Sequence, residues 1–162
     1  MSCGVPGARW EGRDKFHLTL LFLDEVDGGT QRALVDALTG LVAPPFELTL
    51  KGIGVFPPRG DPTSLWAGVV DPGPVVALRH KVLARLRDLP ITRDPRKFVP
   101  HVTLARTSDS PVDAVVAYMS DHVLFRSETF RVEQLNLYSS VRTSKGSHYR
   151  IEAGFPLRTE AG

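Results

Sequence analysis

Apolar positions along the chain follow two rhythms, each predicting a different kind of element. Residues 16–23 (FHLTLLFL) form a short, nearly continuous apolar run after a charged segment, the pattern of a buried strand ended by Asp27, Gly28 and Gly29. Thr30 suits a helix cap, and Ala33, Leu34, Ala37, Leu38 and Leu41 then recur at helical spacing as far as residue 42, with Pro44 and Pro45 as the stop. Residues 46–56 and 64–70 are strand-like runs joined by the turn-forming PPRGDP loop, so a hairpin is expected. A second helix is predicted over 74–88, opened by Pro74 at its first position and carrying Val75, Leu78, Val82, Leu83 and Leu86 as its apolar stripe. A strand over 98–106, a short helix over 111–119, and strands over 129–138 and 147–157 around a Ser-Lys-Gly turn complete the pattern.

The predicted order is strand, helix, hairpin, helix, strand, helix, hairpin, a mixed order read as α+β. Residues 15–20 read Lys-Phe-His-Leu-Thr-Leu and residues 97–104 read Lys-Phe-Val-Pro-His-Val-Thr-Leu, each followed by a helix and a strand-rich hairpin. The 162 residues are therefore read as one bilobal domain, 1–162, with a first half around 17–20 and a second around 101–104.

Composition narrows the class without choosing a function. Hydrophobic residues make up 42% and charged residues 23%, enough apolar content to bury a core. Twenty Lys and Arg against eighteen Asp and Glu leave only +2, so any polyanion partner must be read from how charge is distributed. The lone Cys3 excludes a disulfide scaffold, the start of the chain lacks the apolar core of a secretory signal, and no apolar run reaches membrane-spanning length. A cytoplasmic protein with no membrane partner, and a monomer, is expected.

The chemistry resides in the paired motif. With five His, eleven Thr and nineteen Leu, a shuffled chain would hold about 0.04 copies of His-x-Thr-Leu, yet two occur. Alternation along a strand puts His17 and Thr19 on one face, and His101 and Thr103 on one face of another strand. A lone His or Thr on a half-buried strand is ordinarily a satisfied polar residue, but the repetition reverses that reading. If the halves pack about a pseudo-two-fold axis, two imidazoles and two hydroxyls can line one cleft. Displacement at phosphorus needs a group to take a proton from the attacking oxygen and one to give a proton to the leaving oxygen. Imidazole, with its ordinary pKa near 6.5, serves as either, and hydroxyls donate to the non-bridging phosphoryl oxygens.

With these motifs the sequence resembles the 2H phosphoesterase superfamily, and within it the LigT-like RNA 2′,3′-cyclic phosphodiesterases, also called ThpR or 2′-5′ RNA ligases. Beyond His17-Leu-Thr19-Leu and His101-Val-Thr103-Leu, the resemblance rests on Arg9-Trp10, on 22–25, on 52–58 (GIGVFPP), on 65–68 (LWAG) and on 100–106 (PHVTLAR). It implies two pseudo-symmetric lobes of antiparallel sheet with outer helices and an active-site cleft between them. It also implies that His17 is general acid on the leaving ribose oxygen, His101 general base on water, and Thr19 and Thr103 the phosphate holders. The reaction implied opens RNA 2′,3′-cyclic phosphate ends, or small cyclic nucleotides, to 2′-phosphates without metal or cofactor, with weak reverse 2′-5′ ligation in some members. Only sixteen residues precede His17, so the strand and helix that usually come before the first motif are expected to be absent.

Arg106 matches a substrate-binding Arg of the family, and Phe22 an aromatic that contacts the base. Each lies five residues after its His, and an odd offset puts it on the opposite face of a regular strand, so reaching the cleft needs a bulge or a strand end. For Phe22, packing in the core is the more ordinary reading. Residues 79–106 hold eight Lys or Arg against Asp88 and Asp94, and the loop residues Arg93, Arg96 and Lys97 are candidates for RNA contact. His80, His122 and His148 read as surface or capping residues, and Trp10 and Trp66 as packing. Cys3 has no evident base, and no paired-Cys or His-Glu-x-x-His spacing points to a metal. Two rivals remain: a non-catalytic nucleotide- or RNA-binding module using the same cleft, and a phosphodiesterase for 2′,5′-linked oligonucleotides or ADP-ribose cyclic phosphate.

Overall fold

The computed structural model describes residues 4–92, 97–143 and 146–159. Its α+β class and antiparallel sheets are those expected from the sequence. The chain divides into two units, each with its own core and each assembled from three separated segments. The first comprises Met1–Thr19, Leu48–Pro72 and Phe98–Phe130; the second comprises Leu20–Glu47, Gly73–Lys97 and Arg131–Gly162. The units are thus interleaved along the sequence, and both His-x-Thr motifs belong to the first.

The first unit is built on a four-stranded antiparallel sheet. Its strands are β1 (Arg9–Trp10), β3 (Leu50–Phe56), β4 (Ser64–Val69) and β5 (His101–Arg106), in the order β1-β5-β4-β3. Alternation along β4 turns Leu65 and Ala67, both fully buried, to one face. Helix α3 (Val112–Asp121) covers that face, its Val115 completing a core with Leu65, Ala105 and Val5. Full burial of a side chain such as Leu65 contributes about 1.5–3 kcal/mol, so this face is committed to packing. The opposite face is the one left for chemistry.

The second unit pairs β7 (Gln134–Thr143) with β8 (Gly146–Pro156) in a long antiparallel hairpin. Helix α1 (Gly28–Leu38) and helix α2 (Gly73–Arg85) supply Leu34, Leu38, Leu78 and Val82, which pack with Phe155 and Leu157. A short strand β2 (Phe46–Leu48) pairs with β6 (Phe130–Val132).

Several boundaries differ from the sequence reading. Residues 16–23 form no ladder strand: Leu18 makes one isolated bridge, and Phe16 and Phe22 are exposed. The reason is that this run is divided between two units, since the chain leaves the first unit after Thr19 and Leu20, Leu21 and Leu23 pack on the core of the second. The run predicted over 129–138 divides into β6 and β7, and β1 was too short to be seen as a periodic signal. The predicted Ser-Lys-Gly turn lies partly outside the described residues.

Helix α1 begins earlier than predicted and ends sooner. Its cap is Asp27 rather than Thr30: Asp27 Oδ1 accepts the Thr30 backbone N–H at 2.7 Å, and Gly40, at φ 73°, takes the left-handed conformation that stops the helix before the prolines. The Thr30 backbone N–H holds the Asp27 carboxyl below its ordinary pKa. A carboxyl whose pKa is lower folded than unfolded stabilises fully above the unfolded value, and loses that effect as pH falls through the folded one. Asp27→Ala should therefore lower the thermal midpoint at neutral pH, with the gap from wild type closing in acid. Melting curves from pH 7 to pH 3 test this, and a gap that widens in acid contradicts it.

Candidate active site

The two motifs meet through backbone pairing on one strand. Arg9 and Trp10 of β1 lie opposite Arg106 and Ala105, and the Glu11 N–H donates to the Leu104 carbonyl at 2.8 Å. The chain then leaves the sheet in a 3-10 turn over Arg13–Lys15 and returns to the same edge of β5, where Leu18 bridges Val102 in antiparallel sense. Counting from that bridge puts His17 opposite Thr103 and Thr19 opposite His101, all four turned away from the buried Val102. His17 and His101 then lie on a diagonal, for which Cβ separations are about 7–8 Å or somewhat less.

An antiparallel pair has a local two-fold axis normal to the sheet, and here it passes through the Leu18–Val102 bridge. It relates His17 to His101, Thr19 to Thr103 and Lys15 to Val99. The hydrogen bonds obey the same symmetry. Nδ1 of His17 donates to the Lys15 carbonyl at 2.7 Å, and Nδ1 of His101 donates to the Val99 carbonyl at 2.6 Å. A carbonyl only accepts, so each contact sets Nδ1 as the N–H nitrogen and assigns proton exchange with a ligand to Nε2.

Beyond the motif the register shifts by one residue. Leu65 faces Ala105 but Trp66 faces Thr103, so Leu104 is an extra, bulged residue of β5. The bulge resolves the parity problem of Arg106. Ser64, Trp66 and Gly68 share one face of β4 and lie opposite Arg106, Thr103 and His101 respectively, so the exposed Arg106 stands on the face of the histidines.

The same face carries aromatic residues that the sequence reading had assigned to packing or left unremarked. Phe56 meets the His101 ring edge-on at a centroid distance of 5.0 Å, and Trp66 lies 5.8 Å from it and stacks on Phe56 at 5.1 Å. Trp66 lies across Gly54, where a Cβ would collide with its ring. A Gly directly opposite an aromatic on a neighbouring strand was the available signal, but only the register reveals that opposition.

Other candidates fall elsewhere. Phe22 belongs to the second unit and is 56% exposed, so the expectation of core packing fails for it. Lys97 is exposed, also in the second unit, whereas Arg93 and Arg96 lie outside the described residues. Much of the basic face of α2 is engaged with backbone, since Arg79, Lys81 and Arg85 donate to the carbonyls of Leu20, Val42 and Gly40. His122 is the C-cap residue of α3, with its Nδ1 on the Tyr118 carbonyl and its ring stacked on that tyrosine at 4.0 Å, while His80 and His148 are exposed. Burial raises the pKa of the Tyr118 phenol. Trp10 packs against Tyr118 as expected. Among the described residues no three His, Cys, Asp or Glu side chains gather as metal ligands, and no helix is long and apolar enough to cross a membrane.

The class defined by these residues is an α+β protein that presents two symmetry-related His-Thr pairs and an arginine on one sheet face. The chain belongs to the 2′-5′ RNA ligase superfamily, whose model matches residues 8–143. It is 31% identical over 160 residues to an RNA 2′,3′-cyclic phosphodiesterase of Geobacillus stearothermophilus, covering 96% of this chain but 50% of that protein. It is 30% identical over 150 residues to an RNA 2′,3′-cyclic phosphodiesterase of Archaeoglobus fulgidus, covering 91% and 82% of the two chains. The chain thus spans half the length of the first relative and about four fifths of the second. A crystal structure of a Thermus thermophilus protein superposes with a TM-score of 0.78 at 25% identity, covering 96% of this chain and 85% of that one.

Proposed function

We propose that the protein is a phosphodiesterase that opens 2′,3′-cyclic phosphate ends of RNA to 2′-phosphates. The observation that carries this reading is the local two-fold, which gives His17 and His101 the same Nδ1 anchor and sets a Thr hydroxyl beside each imidazole. Relatives at about 30% identity that bear the name of this activity support it.

In the proposed reaction water attacks phosphorus while Nε2 of His101 takes its proton. The bond from phosphorus to the ribose 3′ oxygen breaks, and that oxygen receives the proton held on Nε2 of His17. The products are a 2′-phosphate and a free 3′ hydroxyl. The site is left with its protons exchanged between the imidazoles, and transfer to and from solvent resets it. Thr19, Thr103 and Arg106 hold the non-bridging oxygens, which are negatively charged throughout. All the proton transfers are done by side chains of this chain, so the reading requires no metal.

The test is incubation of the purified protein with 2′,3′-cyclic AMP in excess chelator, followed by identification of the product isomer. Adenosine 2′-phosphate, formed at the same rate with and without chelator, is the expected result. Adenosine 3′-phosphate as product would mean that the leaving oxygen is assigned wrongly, and no turnover of cyclic nucleotide or cyclic-ended RNA would overturn the reading.

A further inference from the structure

The row of residues that crosses the first unit's sheet through His101 runs on into positive charge. His101 lies opposite Gly68 on β4, and Gly68 lies opposite Lys51 on β3, so Lys51 stands on the face of the two motifs. Past β3, Lys51 bridges Arg126 in antiparallel sense. Two backbone bonds frame that bridge: the Gly52 N–H donates to the Phe125 carbonyl at 2.9 Å, and the Ser127 N–H donates to the Leu50 carbonyl at 3.0 Å. They make Lys51 and Arg126 a non-hydrogen-bonded pair, the kind whose side chains stand closest together. The row therefore reads His101, Gly68, Lys51, Arg126. Two strand spacings, about 10 Å, separate His101 from Lys51, and Gly68 puts no side chain between them.

Like charges directly opposite on neighbouring strands destabilise a sheet, so this pair is held at a cost to the fold. Both side chains are exposed, and among the described residues neither makes an ion pair or a side-chain hydrogen bond, with Glu128 or with any other group. Of the ladder positions on this face none is Asp or Glu. At the other end of the sheet Arg9 stands opposite Arg106, but there Asp109 lies 3.6 Å from Arg9. Two adjacent cations with no carboxylate between them are a seat for an anion, and a phosphate suits both. Their alignment with His101 specifies which phosphate. An unattached inorganic ion would not require that alignment, and a mononucleotide with one cyclic phosphate has no second phosphate to place there.

We propose that Lys51 and Arg126 hold a backbone phosphate of the RNA strand whose cyclic end reacts at the histidines, so that oligoribonucleotides are preferred over mononucleotides. This rests on the reading of the protein as opening cyclic ends of RNA, and adds a second point of attachment on the same strand.

The test compares kcat/KM for a cyclic-ended hexaribonucleotide and for 2′,3′-cyclic AMP in the wild type, Lys51→Gln/Arg126→Gln, Lys51→Arg and Arg32→Gln/Arg87→Gln. The last pair removes the same charge from exposed positions of the second unit. The wild type should prefer the hexamer. Lys51→Gln/Arg126→Gln should lose about ten-fold of that preference, the scale of two exposed ion pairs, while Lys51→Arg and the second-unit pair keep it within about two-fold. Affinity for a hexamer ending in a 3′ hydroxyl, which carries no cyclic phosphate, supplies the second readout. Each phosphate contact to a single strand adds about 0.7 to the slope of log affinity against log salt, so the slope should be shallower by about 1.4 in Lys51→Gln/Arg126→Gln. A preference that does not change, or that falls equally in the second-unit pair, overturns the proposal, as does an unchanged salt slope. Removing a like-charge pair should leave the thermal midpoint unchanged or higher; a lower midpoint with equal losses on both substrates would make the pair structural and overturn the proposal as well. If the double variant fails to fold, Arg126→Gln alone is read in the same two assays, with half the change in slope. A shallower slope in a protein that opens no cyclic phosphate would sink the enzymatic reading and leave the phosphate seat standing. Turnover of both substrates with preference and slope unmoved would do the reverse.

Discussion

His17→Ala and His101→Ala should each lower kcat for opening a 2′,3′-cyclic phosphate by about a hundred-fold to ten-thousand-fold, the scale of general acid-base catalysis. The two-fold at the Leu18–Val102 bridge gives the imidazoles equivalent places, so neither substitution should be markedly milder than the other. Because one proton leaves as another arrives in a single displacement, the double variant should be only slightly worse than either single one. The rate of the wild type should fall on both sides of a pH optimum, and each single variant should lose one of those limbs. Both side chains are half-buried and donate through Nδ1 to local carbonyls, so unchanged thermal midpoints would show that the loss is chemical. Near-wild-type turnover in either variant removes the mechanism.

Gly54→Ala, remote in sequence from both motifs, should carry the second large effect. The added methyl would stand inside 3.0 Å of three ring atoms of Trp66, so the indole must move, and the indole stacks on Phe56 and lies beside His101. Overpacking of this kind costs about 1–3 kcal/mol, and for a chain of this size each kcal/mol lowers the thermal midpoint by roughly 2–4 °C. Displacing a proton-transfer group by even an ångström can cost about a hundred-fold in rate. The melting temperature should therefore drop by several degrees and kcat by up to about a hundred-fold. Trp66→Phe supplies the control, because a smaller ring frees the space and Gly54→Ala should cost less in that background. Strictly additive losses would show that the two residues do not act through each other.

Most of the elements were legible because they rest on local signals. The apolar stripe of α2, the two runs around the PPRGDP loop and the strand of the second motif were all found with small boundary errors. Errors arose where a signal served two purposes. The run over 16–23 looks like one strand, but the chain passes from one unit to the other after Thr19, and its Leu20, Leu21 and Leu23 pack on the core of the second. Thr30 looks like a cap, yet the cap is Asp27, because a carboxylate one turn earlier accepts the Thr30 N–H.

The sequence by itself determined the chemical groups of the candidate site. Two copies of His-x-Thr-Leu are improbable by chance, and strand alternation already put each imidazole with a hydroxyl. How the copies meet was decided only by the tertiary structure. One backbone bridge, reached after a 3-10 excursion, sets the motifs side by side on one face within the first unit. A single bulged residue, Leu104, brings Arg106 to that face, and Phe56 and Trp66 come to border His101 through the register of β3 with β4 and of β4 with β5. The physical reason is that alternation and spacing act within one strand, whereas register and bulges are set by pairing between segments distant in sequence, and a shift of one residue there moves a side chain to the other face.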